Sequence, residues 1–149
     1  MNINIPWTDP KIVRSKINKS PFYKTISMKM EITNKKGSIV RIKLGNKHKN
    51  LWGTVHGGAL ASLVDSTCGL SVVPYLKDGE TMVTVSLYMD YIAPVIEGDI
   101  LGRGRIIHRG RRLVRAEAII TDQKERIVAR GYALFMISEN NTKVVPQDS

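Results

Sequence analysis

Polar and apolar residues alternate every second position in several segments of this chain, and apolar residues recur at helical spacing in two places. Over residues 27–33, Met28, Met30 and Ile32 alternate with Lys29, Glu31 and Thr33, the period of a half-buried strand. Asn34-Lys35-Lys36-Gly37 reads as a hairpin turn and residues 38–44 as the returning strand. Ahead of them, Asp9-Pro10 opens a short amphipathic helix, with Asp9 as N-cap, Pro10 at the first helical position, and Ile12, Val13 and Ile17 as its apolar side. Ser20-Pro21 ends it. After a polar loop at 45–54, the period changes. From Val55 to about Val73, Ala59, Leu60, Leu63, Val64, Thr67 and Cys68 recur at helical spacing, and nearly every other position is small. A helix that is apolar or small all round is a buried helix. Pro74 and Lys77-Asp78-Gly79 end it. Four strands follow, at 81–92, 99–109, 112–122 and 127–137, separated by Ala93-Pro94, Arg109-Gly110-Arg111 and residues 122–125.

Three of these strands have an unusual face. Gly102 and Gly104 share one side of strand 99–109. Val114, Ala116, Ala118 and Ile120 share one side of 112–122, and Ala129, Gly131, Ala133 and Phe135 one side of 127–137. Small residues let a sheet approach and curl around something bulky, and the long helix is the bulky element available. The expected class is α+β, an antiparallel sheet wrapped around one central helix, in the order helix-β-β-helix-β-β-β-β. No repeat, low-complexity tract or linker divides the chain, so residues 1–149 read as one domain, with residues 138–143 as a polar, frayed tail.

Composition narrows the function classes. At 149 residues and 16.7 kDa, with 42% apolar and 24% charged residues, the chain suits one globular domain. No apolar run approaches the roughly 20 residues of a membrane span. Residues 1–10 lack the basic head and apolar core of a secretory signal. One cysteine, Cys68, excludes an intrachain disulfide framework, and a reducing cytoplasm is the expected location. Cys68 reads as a small core residue rather than a nucleophile. His48, His56 and His108 lack metal-ligand spacing, so no metal site is expected. The net charge of +10 is uneven: residues 1–50 hold twelve Lys and Arg against two acids, and the remainder eleven of each. Such a half attracts nucleic acid, an anionic surface or a phosphorylated ligand, or simply solvates the fold. Trp7, Phe22 and Tyr23 are too few aromatics among the lysines for a nucleic-acid surface, and neither a P-loop nor a dinucleotide fingerprint is present.

Candidate chemistry concentrates in residues 50–65. Gly57 and Gly58 fall at the start of the buried helix, where the first N–H groups lack intrahelical partners and glycine leaves them open to a ligand oxygen. Such a tip can hold an oxyanion. Asp65 is a lone carboxylate inside an apolar helix, and a buried unpaired charge is costly. Close packing of loop on helix, and a hydrogen bond to Ser62 or Thr67, are the plainer readings of the two features. If both serve one reaction they must meet, yet eight residues of helix separate them by about 12 Å. Two antiparallel copies about a two-fold axis would set Gly57 of one beside Asp65 of the other. The expectation is therefore a homodimer with two shared sites.

His56-Gly57-Gly58 followed by Asp65, with Asn50 upstream and the strand 83–87 running into Tyr91-Ile92-Ala93-Pro94, resembles the hot-dog-fold acyl-CoA thioesterases of the phenylacetate-pathway (PaaI-like) subfamily over residues 20–137. The resemblance implies a hot-dog fold and hydrolysis of an acyl- or aryl-CoA thioester to a carboxylate and CoA. It implies that the Gly57 N–H polarises the thioester carbonyl and that His56 sits beside it. It implies that Asn50 holds the water or the carbonyl, and that Asp65 of the other subunit acts as general base or as nucleophile. Thr84 falls where the family places a water-binding hydroxyl. Gly58 belongs to the same tip. Trp52 is a candidate wall of the acyl pocket. Arg109, Arg111 and Arg112 cluster at a turn and suit the phosphates of CoA, because a guanidinium donates two hydrogen bonds at once. CoA enters as part of the substrate, with no separate cofactor; no nucleic acid or membrane partner is expected, and dimers of this fold often pair into tetramers. The rival readings are a non-catalytic acyl-CoA-binding or regulatory protein of the same fold and a hydroxyacyl-thioester dehydratase.

Overall fold

The computed structural model describes residues 5–139. Residues 1–4 of the segment read for a secretory signal, and 140–143 of the tail, lie outside the described residues. The elements are α1 (Pro10–Asn18), α2 (Pro21–Thr25), β1 (Met28–Asn34), β2 (Gly37–Ile42), α3 (Gly57–Val72), β3 (Glu80–Tyr91), β4 (Ile100–Arg109), β5 (Leu113–Thr121) and β6 (Ile127–Glu139). The strands make one sheet in the order β1-β2-β4-β5-β6-β3, antiparallel at every step.

Helix α3 touches all six strands. Six strands about 4.8 Å apart span more than twice the width of a helix, so the sheet must curl around it. The small residues permit the approach. A Cβ on Gly102 would collide with the Thr67 side chain, on Gly104 with the Thr67 carbonyl, and on Gly131 with the Val64 side chain. The faces expected to be small are the faces that are buried: Val114, Ala116, Ala118 and Ile120 of β5 and Ala129, Ala133 and Phe135 of β6 all belong to the core, beside Leu60, Leu63, Val64 and Cys68 of α3. The second half of α3 is also tied by polar groups. Ser38 Oγ donates to the Thr67 carbonyl at 2.6 Å and lies 2.9 Å from Ser71 Oγ. The central-helix architecture of the sequence reading is thus the observed one.

The differences are local. Residues 21–25 form a helix where the sequence suggested only the end of α1. Pro21 stops one helix but has the backbone angle to begin another, and extended Ser20 separates the two. Helix α3 starts at Gly57 rather than Val55, because His56 is extended (φ −64°, ψ 137°) and Val55 is bridged to Lys49. Strand β6 runs to Glu139, paired with Glu80, so residues 138 and 139 are strand and not frayed tail.

Candidate active site

The loop before α3 is held by two side chains. Asn50 Oδ1 accepts from the Trp52 and Thr54 N–H groups at 3.0 and 3.2 Å, and its Nδ2 donates to Thr54 Oγ1 at 2.9 Å. Buried His48 accepts from the Gly45 N–H through Nδ1 at 2.9 Å, and its Nε2 lies 2.6 Å from the Ile26 carbonyl. The His48 carbonyl in turn accepts from the His56 N–H at 2.7 Å. His56 has extended backbone and caps the helix: its Nδ1 accepts from the Gly58 N–H at 2.8 Å. One donor of the tip is thereby spent. The Ala59 and Leu60 N–H groups go to the His56 carbonyl. Among the described residues the Gly57 N–H has no acceptor. The tip therefore presents one free, fixed donor at the positive end of a 16-residue helix. Tyr91 stands beside it, with its hydroxyl donating to the Gly57 carbonyl at 3.3 Å.

Asp65 lies two turns along, half-buried, and Thr84 Oγ1 donates to its Oδ1 at 2.9 Å. Oδ2 has no protein partner among the described residues. Burial pushes the carboxyl above the usual carboxylate range, and the Thr84 hydrogen bond pulls partly back. A raised pKa suits a group that must take and return a proton. Asp65 opens on a cleft of about 150 Å³ lined also by Tyr23, Ser66, Gly69, Leu70, Met82, Thr84 and Phe135. Burial pushes the Tyr23 phenol up to about 12, with the Ser66 hydroxyl opposing and the Asp65 charge adding. Cys68 is fully buried, and burial carries its thiol up to about 12. It is a core residue and not a thiolate nucleophile.

The chain therefore brings Asp65 and Thr84 together, and His56, Gly57 and Gly58 together, but leaves the two groups apart on one helix. Asn50 braces the loop, with most of its amide spent there. Trp52 does not line the Asp65 cleft of its own chain: Leu51 and Trp52 form the tip of the loop, 96% and 83% exposed. The arginines divide. Arg109 stacks over the Tyr75 ring at 4.8 Å, just past the far end of α3, while Arg111 and Arg112 line a separate surface groove with His108 and Arg115. Fifteen residues of helix, about 22 Å, separate that end from Gly57. Tyr23 and Ser66 beside Asp65, and Tyr91 beside Gly57, went unremarked as site residues in the sequence. Tyr23 comes from 42 positions upstream of Asp65, and no local pattern announces that the two share a cleft.

Comparison with known proteins bears on the family and the fold. The thioesterase superfamily profile matches residues 52–129. The putative esterase Rv1847 of Mycobacterium tuberculosis is 27% identical over 114 residues, covering 74% of this chain and 81% of that protein. Its solved structure superposes with a TM-score of 0.75 at 25% identity, over 80% of this chain and 98% of that one. Acyl-coenzyme A thioesterase 13 of Mus musculus is 30% identical over 95 residues, 62% of this chain and 67% of that protein. A mutant of the phenylacetic acid degradation protein PaaI of Thermus thermophilus shares the fold, with a TM-score of 0.72 at 23% identity over 78% of this chain and 98% of that one.

Proposed function

Since the chain belongs to the thioesterase superfamily, a family of thioester hydrolases, we propose that it cleaves an acyl-CoA thioester to a carboxylate and CoA at two sites shared across a homodimer. The single observation that carries this reading is the pairing of unused groups on one helix. Among the described residues the Gly57 N–H lacks an acceptor and Asp65 Oδ2 lacks a partner, and about 12 Å of α3 separates them. Neither can complete the other within a chain, and an antiparallel second copy supplies each with what it lacks. Edge strand β3, which carries Thr84 and has no strand beyond it among the described residues, is the natural seam for that copy.

In this reading the thioester carbonyl oxygen accepts from the partner subunit's Gly57, and water sits between Asp65 and Thr84. Asp65 takes a proton as the water oxygen bonds to the carbonyl carbon. The negative charge that develops on the carbonyl oxygen meets the donor and the positive helix end, where fixed dipoles are worth most. Collapse of the tetrahedral intermediate breaks the C–S bond, and the CoA thiolate leaves with the proton from Asp65. Direct attack by Asp65, through a mixed anhydride that water then opens, uses the same placement. His56 acts as a positioning residue, since its ring fixes the angle of the tip. The basic surface of residues 11–49 favours approach of the anionic CoA.

Subunit mixing tests the reading. Asp65→Ala should lower kcat by about 10²–10⁴. Gly57→Pro removes the N–H at a helical position that tolerates proline, after a residue already extended, and should cost about 10²–10³. Each homodimer is then nearly inactive. Heterodimers of the two contain one intact site, so mixing with exchange of subunits should restore activity measured as free thiol release. Mixed dimers that stay as inactive as their parents would place both groups in a within-chain role and end the shared-site reading.

A further inference from the structure

The cleft beside Asp65 has two chemically different ends. Asp65, Ser66 and Thr84 present oxygen at one, and Gly69, Leu70, Met82 and Phe135 present carbon at the other. Gly69 lies one turn past Asp65, about 6 Å along the helix axis. The absence of a side chain at Gly69 widens that end: a Cβ there would come to 3.3 Å from Met82 Cε and 3.5 Å from the Phe135 ring. The remaining wall comes from α2. The Tyr23 ring packs against the core while its side chain also lines the cleft. Tyr23 lies ahead of the residues 52–129 that match the family, so this wall is supplied from outside the shared region. Its phenol, held up to about 12, stays protonated through the neutral range and adds no charge to the cleft.

Resting on the thioesterase reading above, we propose that Tyr23 and Gly69 set the acyl-group specificity: Gly69 opens the acyl pocket from Asp65 toward Met82 and Phe135, and Tyr23 walls it to the size of a short acyl chain or one aryl ring. The volume of about 150 Å³ equals that of an apolar cavity that takes up one benzene. The carbon-lined end receives the acyl group and the oxygen-lined end its carbonyl, which sets the reacting carbon beside Asp65. A long fatty chain would have to leave the cleft and give up its burial. Because a misfit of one methylene in such a pocket changes kcat/KM by about tenfold or more, the walls are expected to select sharply.

The experiment measures kcat/KM by CoA release from acetyl-, butyryl-, hexanoyl-, octanoyl-, palmitoyl- and benzoyl-CoA. The proteins compared are the wild type, Tyr23→Phe, Tyr23→Ala and Gly69→Ala. Ratios between substrates within one protein cancel any loss of folded fraction. In the wild type butyryl- or benzoyl-CoA should exceed octanoyl-CoA by about tenfold or more. Tyr23→Phe should keep the profile, and Tyr23→Ala should raise the octanoyl-to-butyryl ratio about tenfold. Gly69→Ala should lower hexanoyl- and benzoyl-CoA more than acetyl-CoA, and this ratio decides the matter alone if Tyr23→Ala does not fold. A wild type that prefers palmitoyl-CoA, or variants with unchanged profiles, would overturn the pocket assignment and leave the hydrolase reading standing. A folded wild type that releases no CoA from any ester would sink both.

Discussion

The two edges of the single sheet are finished differently. Edge strand β1 spans seven residues, irregular between Met30 and Ile32, with α1 and α2 packed against it. The Asn18 side chain accepts from the Met30 N–H at 2.8 Å and donates to the Met30 carbonyl at 3.2 Å, as a neighbouring strand would. Charged Lys29 and Glu31 complete the protection. Edge strand β3 is twelve residues long, and exposed apolar residues run along it, among them Val83 at 54%, Val85 at 53% and Tyr91 at 56%. Proteins blunt such edges with charge, short strands or a cover, because an open ladder pairs with another chain. The lesson is one of economy: the chain closes β1 by itself and leaves β3 in a state that a second copy would complete. The proposed site lies on that unfinished side, since Thr84 of β3 holds Asp65.

The sharpest way to break this contrast is to blunt β3 as β1 is blunted. Lysine for Val85, at the irregularity between Thr84 and Ser86, places charge in the middle of the open edge without touching Asp65. The Val85→Lys protein is expected to sediment as a monomer and to lose activity by about a hundredfold or more, as when an oxyanion donor is withdrawn. A monomeric Val85→Lys protein that hydrolyses acyl-CoA at the wild-type rate would show that the unfinished edge has nothing to do with the site.

The matching change at the other edge should do something different in kind. Asn18→Ala removes the side chain that mimics a strand and leaves the Met30 N–H and carbonyl without their partner. The expected cost is about 1–3 kcal/mol of stability, a fall in Tm of roughly 2–4 °C for each kcal/mol in a chain this size. Oligomeric state and kcat should stay unchanged. New dimer or aggregate contacts through β1 would mean that Asn18 works mainly against pairing rather than for stability.

What the sequence disclosed, and what it withheld, follows the same physical line. The central helix was legible because Ala59 to Cys68 repeat at helical spacing, and its neighbours because Gly102, Gly104, Ala116, Ala118, Gly131 and Ala133 leave room on strands of period two. Gly57 and Asp65 were legible as oddities, a glycine tip and a lone acid on an apolar helix. Contacts that no repeat encodes were not. The sequence carries no sign that Tyr23 would share the Asp65 cleft from α2, that Asn18 would stand in for a strand, or that Leu51 and Trp52 would form the exposed tip of the loop. The arginines show the limit of reading clusters by proximity in sequence: Arg109 turned onto Tyr75 while Arg111 and Arg112 faced a different groove.

The smallest expected effect concerns the hydrogen bond that links the central helix to the open edge. Burial raises the Asp65 pKa, and the Thr84 hydroxyl, donating to the ionised carboxylate, works against it. Thr84→Ala leaves burial unopposed. The acid limb of kcat/KM, which reports the free enzyme's titrating base, should then move to higher pH, and the plateau should fall modestly because the water loses one of its two partners. Stability has its own sign. A carboxyl whose folded pKa lies above its unfolded value of about 4 contributes stability below that value and loses it as pH rises through the folded one. Thr84 limits that loss, so Thr84→Ala should destabilise the protein more at about pH 7 than at about pH 3, as read from paired thermal melts. An acid limb that stays fixed or moves down, in a protein whose melts behave as described, would separate the two roles: Asp65 would titrate in the fold, and another group would set the pH dependence of the reaction.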